Sequence, residues 1–226
     1  MGRLIEDPDL RDKRFVFEDR QDAGKRLAEF LESHRGSNTI LLAVPSGGVP
    51  VAAEAARLLS LPVDLLIVRK LQIPYNPEAG FGAMTLSGEI LLNEELVRSL
   101  GLGEDAITAT VKLTREVLDR RNILFRKGMP LPSCGGRRVI IIDDGLASGY
   151  TMRVAARWVK SMGPKEVIVA VPTGSERTVT ILGKEVDEVV CLNVRSGYRF
   201  AVAEAYRQWY DLSDEEVLRI MASISG

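Results

Sequence analysis

Residues Val139 to Met152 read VIIIDDGLASGYTM: four β-branched residues, two adjacent carboxylates, then a run of small and hydroxylic residues. Two carboxylates at the end of a buried strand cost free energy unless something polyhydroxylated or metallic meets them. In open α/β sheets, ligands sit beyond the carboxyl ends of the strands, where Asp143 and Asp144 would be delivered. Gly145 and Gly149 allow a tight turn, so successive backbone amides can converge at the N-terminus of a helix starting near Thr151. Such a nest favours a phosphate dianion, and the hydroxyls of Ser148 and Thr151 add two donors. The carboxylates are acceptors only, suited to a sugar diol beside the phosphate with a divalent cation offsetting their charge. Donors at one end and acids at the other describe a grip on a sugar phosphate.

The flanking chain predicts the elements that hold this stretch. Arg14 to Leu31 carries apolar residues at helical spacing, with a cap near Asp19 or Asp22. A short apolar run near Thr39 to Val44, a Pro-Ser-Gly-Gly turn, an Ala-rich helix and a second run near Val63 to Val68 make a βαβ unit. Both runs are almost wholly apolar, as parallel strands covered on two faces require. Leu71 to Gly80 is punctuated by Pro and Gly; it reads as a mobile loop and candidate lid, followed by a hairpin turning at Ser87-Gly88. Helices follow near Asn93 to Leu100 and Glu104 to Arg126. After a Pro- and Gly-rich break come the acid-bearing strand, a helix from Thr151 to Met162 stopped by Gly163-Pro164, a strand in EVIVAVP, a helix from about Gly174, a strand near Glu188 to Leu192 and a polar C-terminal helix. The fold class is α/β, an open, mostly parallel, doubly wound sheet.

Composition limits the functions. The chain has 226 residues, 46% of them hydrophobic, so one domain can bury a full core. Thirty Lys and Arg against 31 Asp and Glu leave a net charge of -1, which argues against nucleic-acid or anionic-membrane affinity. No apolar run reaches the roughly 20 residues of a membrane span, and a cytoplasmic location is the expectation. Cys134 and Cys191 lack the spacing of a disulfide framework or a zinc site. A hydrolase elbow is disfavoured because GLASG is not G-x-S-x-G and the single histidine, His34, precedes Ser148; His34 reads as a surface residue. Neither GxxxxGK[ST] nor a strand followed by GxGxxG is present. Receiver domains also bear acid pairs, but near the N-terminus and without a hydroxyl-rich loop after them. Arg137 or Arg138 could hold the acids in a merely structural ion pair. Arg115, Arg120, Arg121, Arg126 and Lys127 read as a solvated helix face.

VIIIDDGLASGYT resembles the phosphoribosyl-pyrophosphate signature of the type I phosphoribosyltransferases. FEDRQDAGKRLAEFL, VPSGGVPVAAEAARLL, DLLIVRKLQIPYNPEAGFGA and DLSDEEV resemble, in the same order, a less characterised subgroup of predicted phosphoribosyltransferases. The resemblance implies one domain over 1–226, with a core of about 37–175 and a small hood from about 1–36 and 185–226. It implies transfer of the phosphoribosyl group of 5-phosphoribosyl 1-pyrophosphate (PRPP) to a nitrogenous acceptor with release of pyrophosphate, as in nucleotide metabolism. Mg2+ would be held through PRPP and water near Asp143 rather than by direct protein ligands, and homodimers are usual in the family. Carried over by position, Asp143 and Asp144 take the ribose hydroxyls, and Ala147, Ser148, Gly149, Tyr150 and Thr151 take the 5′-phosphate. Ser46, Gly47 and Gly48 form the pyrophosphate loop, often built around an unusual cis peptide. Two departures stand out: Ser46 occupies a position usually held by Arg, with Arg69 and Lys70 as candidate catalytic replacements, and Ala147 lies where oxopurine-salvage members carry Asp. Among Tyr198, Phe200, Tyr206, Trp209 and Tyr210, packing of the C-terminal helix is favoured over stacking on an acceptor base. The alternative function is a PRPP-sensing regulator that binds RNA or DNA without catalysis.

Overall fold

The computed structural model describes residues 2–197 and 199–224. In chain order these form β1 (Arg3–Ile5), α1 (Arg20–Phe30), β2 (Thr39–Ala43), α2 (Gly48–Leu59), β3 (Val63–Leu65), β4 (Val68–Ile73), β5 (Asn76–Thr85) and β6 (Ile90–Leu92). There follow α3 (Glu94–Ser99), α4 (Glu104–Arg126), β7 (Arg138–Ile142), α5 (Tyr150–Ser161), β8 (Glu166–Ser175), α6 (Glu176–Leu182), β9 (Glu188–Arg195) and α7 (Asp214–Ile224). Six strands make a parallel sheet in the order β1-β9-β8-β7-β2-β3. From β7 the chain winds outward through β8 and β9, and from β2 it winds the other way to β3. The seam between β2 and β7, where Ala43 lies opposite Ile142, is therefore the topological switch point at which such sheets bind ligands.

Alternation explains how so apolar a strand is used. Ile140 and Ile142 of β7 face a core shared with Ala23 and Leu27 of α1 and Val51 and Ala55 of α2. Val139 and Ile141 face a second core with Met152, Ala155 and Val159 of α5. Both faces are thus covered, as a period of two residues in a parallel sheet requires. Cys191 is fully buried in β9, and Cys134, in the loop before β7, is buried as well, each acting as a small apolar filler.

Several expectations need correction. The apolar run Val63 to Val68 divides: β3 joins the parallel sheet, and Val68 opens a separate three-stranded antiparallel sheet, β4-β5-β6. Leu71 to Gly80 is accordingly no loop but part of a β4–β5 hairpin, with Leu71 opposite Gly82 and Ile73 opposite Asn76. Its register shifts around Gln72, and a β-bulge of this kind scrambles the alternation by which a strand is recognised. The main sheet also draws β1 and β9 from the terminal segments assigned to the hood. What remains of those segments runs together: Phe15 and Phe17 donate backbone hydrogen bonds to Glu204 and Ala205, and Arg207 and Gln208 donate back to Phe17 and Glu18. His34 is buried rather than exposed, in a 3-10 turn over Glu32–His34, and burial lowers its pKa.

Candidate active site

Two strand-to-helix turns meet at the switch point. The first follows β2: the peptide bond between Pro45 and Ser46 is cis, and Gly47 caps α2. A β-carbon on Gly47 would overlap the Asp144 carboxylate, and one on Gly48 would lie 2.6 Å from the carbonyl oxygen of Ile142 and 2.8 Å from Cα of Asp143. Only glycine lets this loop press against the acid pair. The second turn follows β7: Gly149, at φ 78°, caps α5, and a β-carbon there would collide with the Thr178 methyl. The turn is braced from the β8 side, where the Leu146 amide donates to Thr173 (2.9 Å) and the Thr178 hydroxyl to the Ala147 carbonyl (2.6 Å).

In both turns amides are left over. The backbone N–H groups of Ser46 and Gly47, and those of Ala147, Ser148 and Gly149, donate to no described residue, nor do the hydroxyls of Ser148 and Thr151. Each group of free donors sits at the positive end of a 12-residue helix, α2 or α5. Each therefore suits an anionic oxygen. Cavities open onto both: one of about 410 Å³ over Ser46, Gly47 and Asp144, and one of about 140 Å³ over Asp143 and the Ala147 to Thr151 turn. Val202 borders the two.

The acid pair lies between them. The Asp144 amide donates to the Asp143 carboxylate (2.8 Å). Burial raises the pKa of Asp143 well above the ordinary carboxylate range, and the neighbouring Asp144 charge raises it further. Burial also raises that of Asp144, opposed by a cation beside it. That cation is neither Arg137 nor Arg138. Arg138 pairs with Glu166 at 2.7 Å, and Arg137 reaches the Thr39 carbonyl. It is Arg20, on the first turn of α1, whose Nε donates to Asp144 at 2.9 Å while an NH group donates to the Tyr210 carbonyl at 2.9 Å. Its guanidinium lies 3.9 Å from the centre of the Trp209 ring. Tyr206, fully packed against Phe17, donates its hydroxyl to the Asp144 carbonyl at 2.6 Å. Sequence reasoning missed Arg20; its position directly after the Asp19 cap, facing the core side of an amphipathic helix, was the available signal.

Other expected residues fall elsewhere. Arg69 lines a groove between β4 and α4, and burial followed by the nearby charges of Arg121 and Arg120 lowers its pKa. Neither Arg69 nor Lys70 lines the Ser46 cavity; Arg121 of α4 does, together with Arg20. The solvated face expected of α4 is correspondingly incomplete. Arg126 is buried, with two bonds to Asp64 at 2.9 and 2.7 Å, and Arg121 pairs with Asp214 at 3.2 Å. Tyr198 lies outside the described residues. No group of three metal-ligating side chains occurs among the described residues, and no helix among them is long and apolar enough to cross a membrane.

A model of the phosphoribosyl transferase domain matches residues 17–206, which include both turns and the acid pair. The chain is 39% identical over 206 residues to a Mycobacterium tuberculosis protein provisionally named a phosphoribosyl transferase, covering 91% of this chain and 46% of that protein. The chain thus spans about half the length of the curated relatives it matches. An adenine phosphoribosyltransferase of Rhodococcus jostii is 36% identical over 101 residues, 42% of this chain and 57% of that protein. Among solved structures, the crystal structure of TT1426 from Thermus thermophilus superposes with a TM-score of 0.74 at 35% identity, covering 95% of this chain and all of that one. With the domain model matching residues 17–206, the Mycobacterium tuberculosis relative 39% identical across 91% of the chain and the Thermus thermophilus structure superposing on 95% of it, the chain belongs to the phosphoribosyl transferase domain family, a family of glycosyl-transferring enzymes.

Proposed function

We propose that the chain transfers the phosphoribosyl group of PRPP to a nitrogenous acceptor and releases pyrophosphate. The observation that carries this reading is the symmetry of the switch point: unpaired amides at the N-termini of α2 and α5, with two half-buried carboxylates between them. PRPP has the matching order of groups, a pyrophosphate, a diol and a 5′-phosphate. The Ala147 to Thr151 turn receives the 5′-phosphate, Asp143 and Asp144 accept from the ribose hydroxyls, and Ser46, Gly47 and Gly48 receive the pyrophosphate. The acceptor nitrogen forms a bond to C1′ as the C1′–O bond to pyrophosphate breaks; the electron pair leaves with pyrophosphate, and the nitrogen's proton passes to solvent.

Positive charge grows on the sugar while negative charge moves to the leaving group, and fixed charges on each side follow that separation. Ser46 supplies no cation, and in this reading Arg121, which lines the same cavity, supplies one, with Arg69 close enough to feel its charge. The donor set is compatible with Mg2+, a hard cation that takes oxygen ligands. With Asp144 engaged by Arg20 and no third ligating side chain nearby, Mg2+ would draw its remaining ligands from PRPP and water. It would neutralise charge on the pyrophosphate.

The test is pyrophosphate release from PRPP and Mg2+ across a panel of nitrogenous acceptors, with PRPP binding followed by calorimetry. Acceptor-dependent release is expected, and Asp143→Asn with Asp144→Asn should lower it by roughly a hundredfold or more without unfolding the chain. Absence of both PRPP binding and acceptor-dependent release would refute the reading. The engagement of Arg121 and Arg126 within the fold supports this reading over RNA or DNA binding through α4.

A further inference from the structure

A third cavity, of about 530 Å³, opens on the other side of the phosphate turn, sharing Ala147 and Ser148 with it. Its remaining wall includes Ser175, Arg177, Arg195 and Phe200. The electrostatics of this wall are unbalanced. Arg195 is 5% exposed, donates to Glu204 at 2.7 Å, and leaves one terminal NH2 group, NH1, buried without a hydrogen-bond partner. Glu204 is itself shared with Arg14 at 3.3 Å, so two guanidinium groups divide one carboxylate. Glu176, a carboxylate on the same wall, is held by Arg11. Arg177 pairs with no described carboxylate. Arg195, with its orphaned donor, and Arg177, with no carboxylate partner among the described residues, therefore border a space that adjoins the phosphate turn. A buried N–H without a partner is costly and calls for an acceptor oxygen. Phe200, whose ring centre lies 5.5 Å from the Arg195 guanidinium, adds a flat aromatic wall.

We propose that this cavity takes the acceptor and that the acceptor is a planar nitrogenous acid, an aromatic ring or heterocycle bearing a carboxylate. This rests on the phosphoribosyl-transfer reading and narrows its acceptor. The carboxylate faces Arg177 and Arg195, where charge-assisted hydrogen bonds favour it over an uncharged amide. The ring lies against Phe200, and its nitrogen is turned toward C1′ of the sugar held by Asp143 and Asp144.

The test compares acids with their own carboxamides: pyridine-3-carboxylate with pyridine-3-carboxamide, 2-aminobenzoate with 2-aminobenzamide, and 2,6-dioxopyrimidine-4-carboxylate with its amide. Binding to the intact chain is measured by calorimetry, with and without PRPP and Mg2+. At least one acid should bind about tenfold or more tightly than its amide, and Arg177→Ala and Arg195→Met should each shrink that preference. Arg177 is exposed, so its variant should fold even if the Arg195 variant does not. Equal binding of acids and amides, no binding of any acid under either condition, or an unchanged preference in Arg177→Ala would overturn the proposal. PRPP binding, read in the same instrument, separates that outcome from failure of phosphoribosyl transfer itself.

Discussion

At the scale of single residues, the acid pair sets function against stability. Burial and the neighbouring charge keep the Asp143 carboxyl neutral to a higher pH than it would have in an unfolded chain. Its contribution to folding is therefore fully present below the unfolded pKa and is lost as pH rises through the raised folded value. Asp143→Asn keeps the oxygen that accepts from the Asp144 amide and removes the charge. The variant should be more stable near pH 8 by on the order of 1 kcal/mol, with a flatter pH dependence of its urea midpoint, while the proposed phosphoribosyl transfer should collapse. Arg20→Met should act in the opposite direction, because it strands a buried carboxylate. A loss of about 3 kcal/mol is expected by urea unfolding. Adding Asp144→Asn should recover most of it, a coupling that a double-mutant cycle measures.

At the scale of elements, the two turns depend on how close β2 and β7 bring them. Gly47→Ala should cost 2 kcal/mol or more, by rough analogy with other overpacking changes, and should abolish PRPP binding, since the new methyl would have to displace the Asp144 carboxylate. A Gly103→Ala control, with nothing within 4 Å of the added carbon and an ordinary backbone conformation, should retain PRPP binding. The helices and the strands of the switch point were legible because each carries its own signal: the Asp19 cap, the Asn93 cap, the isoleucine run ending in Asp-Asp, and Gly163 after α5. The β4–β5 hairpin was not, because its proline and glycines imitate a loop and its bulge interrupts the alternation. β1 escaped notice for a different reason: three residues are too few to show a period, and only β9 beside it makes it a strand. Arg121 is illegible for a deeper cause, and Arg20 is legible only as a core-facing cation whose partner is unknown. An arginine on an amphipathic helix looks solvated until the partner far along the chain, Asp144 or Asp214, is known.

At the scale of the whole molecule, the paired stretches of the two terminal segments, around Arg20 and around Tyr206, both reach one residue at the centre of the sheet. Asp144 accepts from Arg20 with its side chain and from Tyr206 with its carbonyl. A ligand that orders Asp144 should therefore slow amide exchange beyond the turns, in residues 15–20 and 204–208 as well as 144–151, as hydrogen-exchange mass spectrometry with and without PRPP would register. An effect confined to the turns would mean that the segments move independently. Both thiols, at the same time, are sealed within the sheet's second core, and burial pushes each toward weaker acidity. Cys134, in a loop, needs only that loop to open, but Cys191 should not react with a disulfide reagent until β9 itself is exposed, so the native chain carries a built-in clock: the rate of Cys191 capture under native conditions times the rare excursions in which the sheet comes apart.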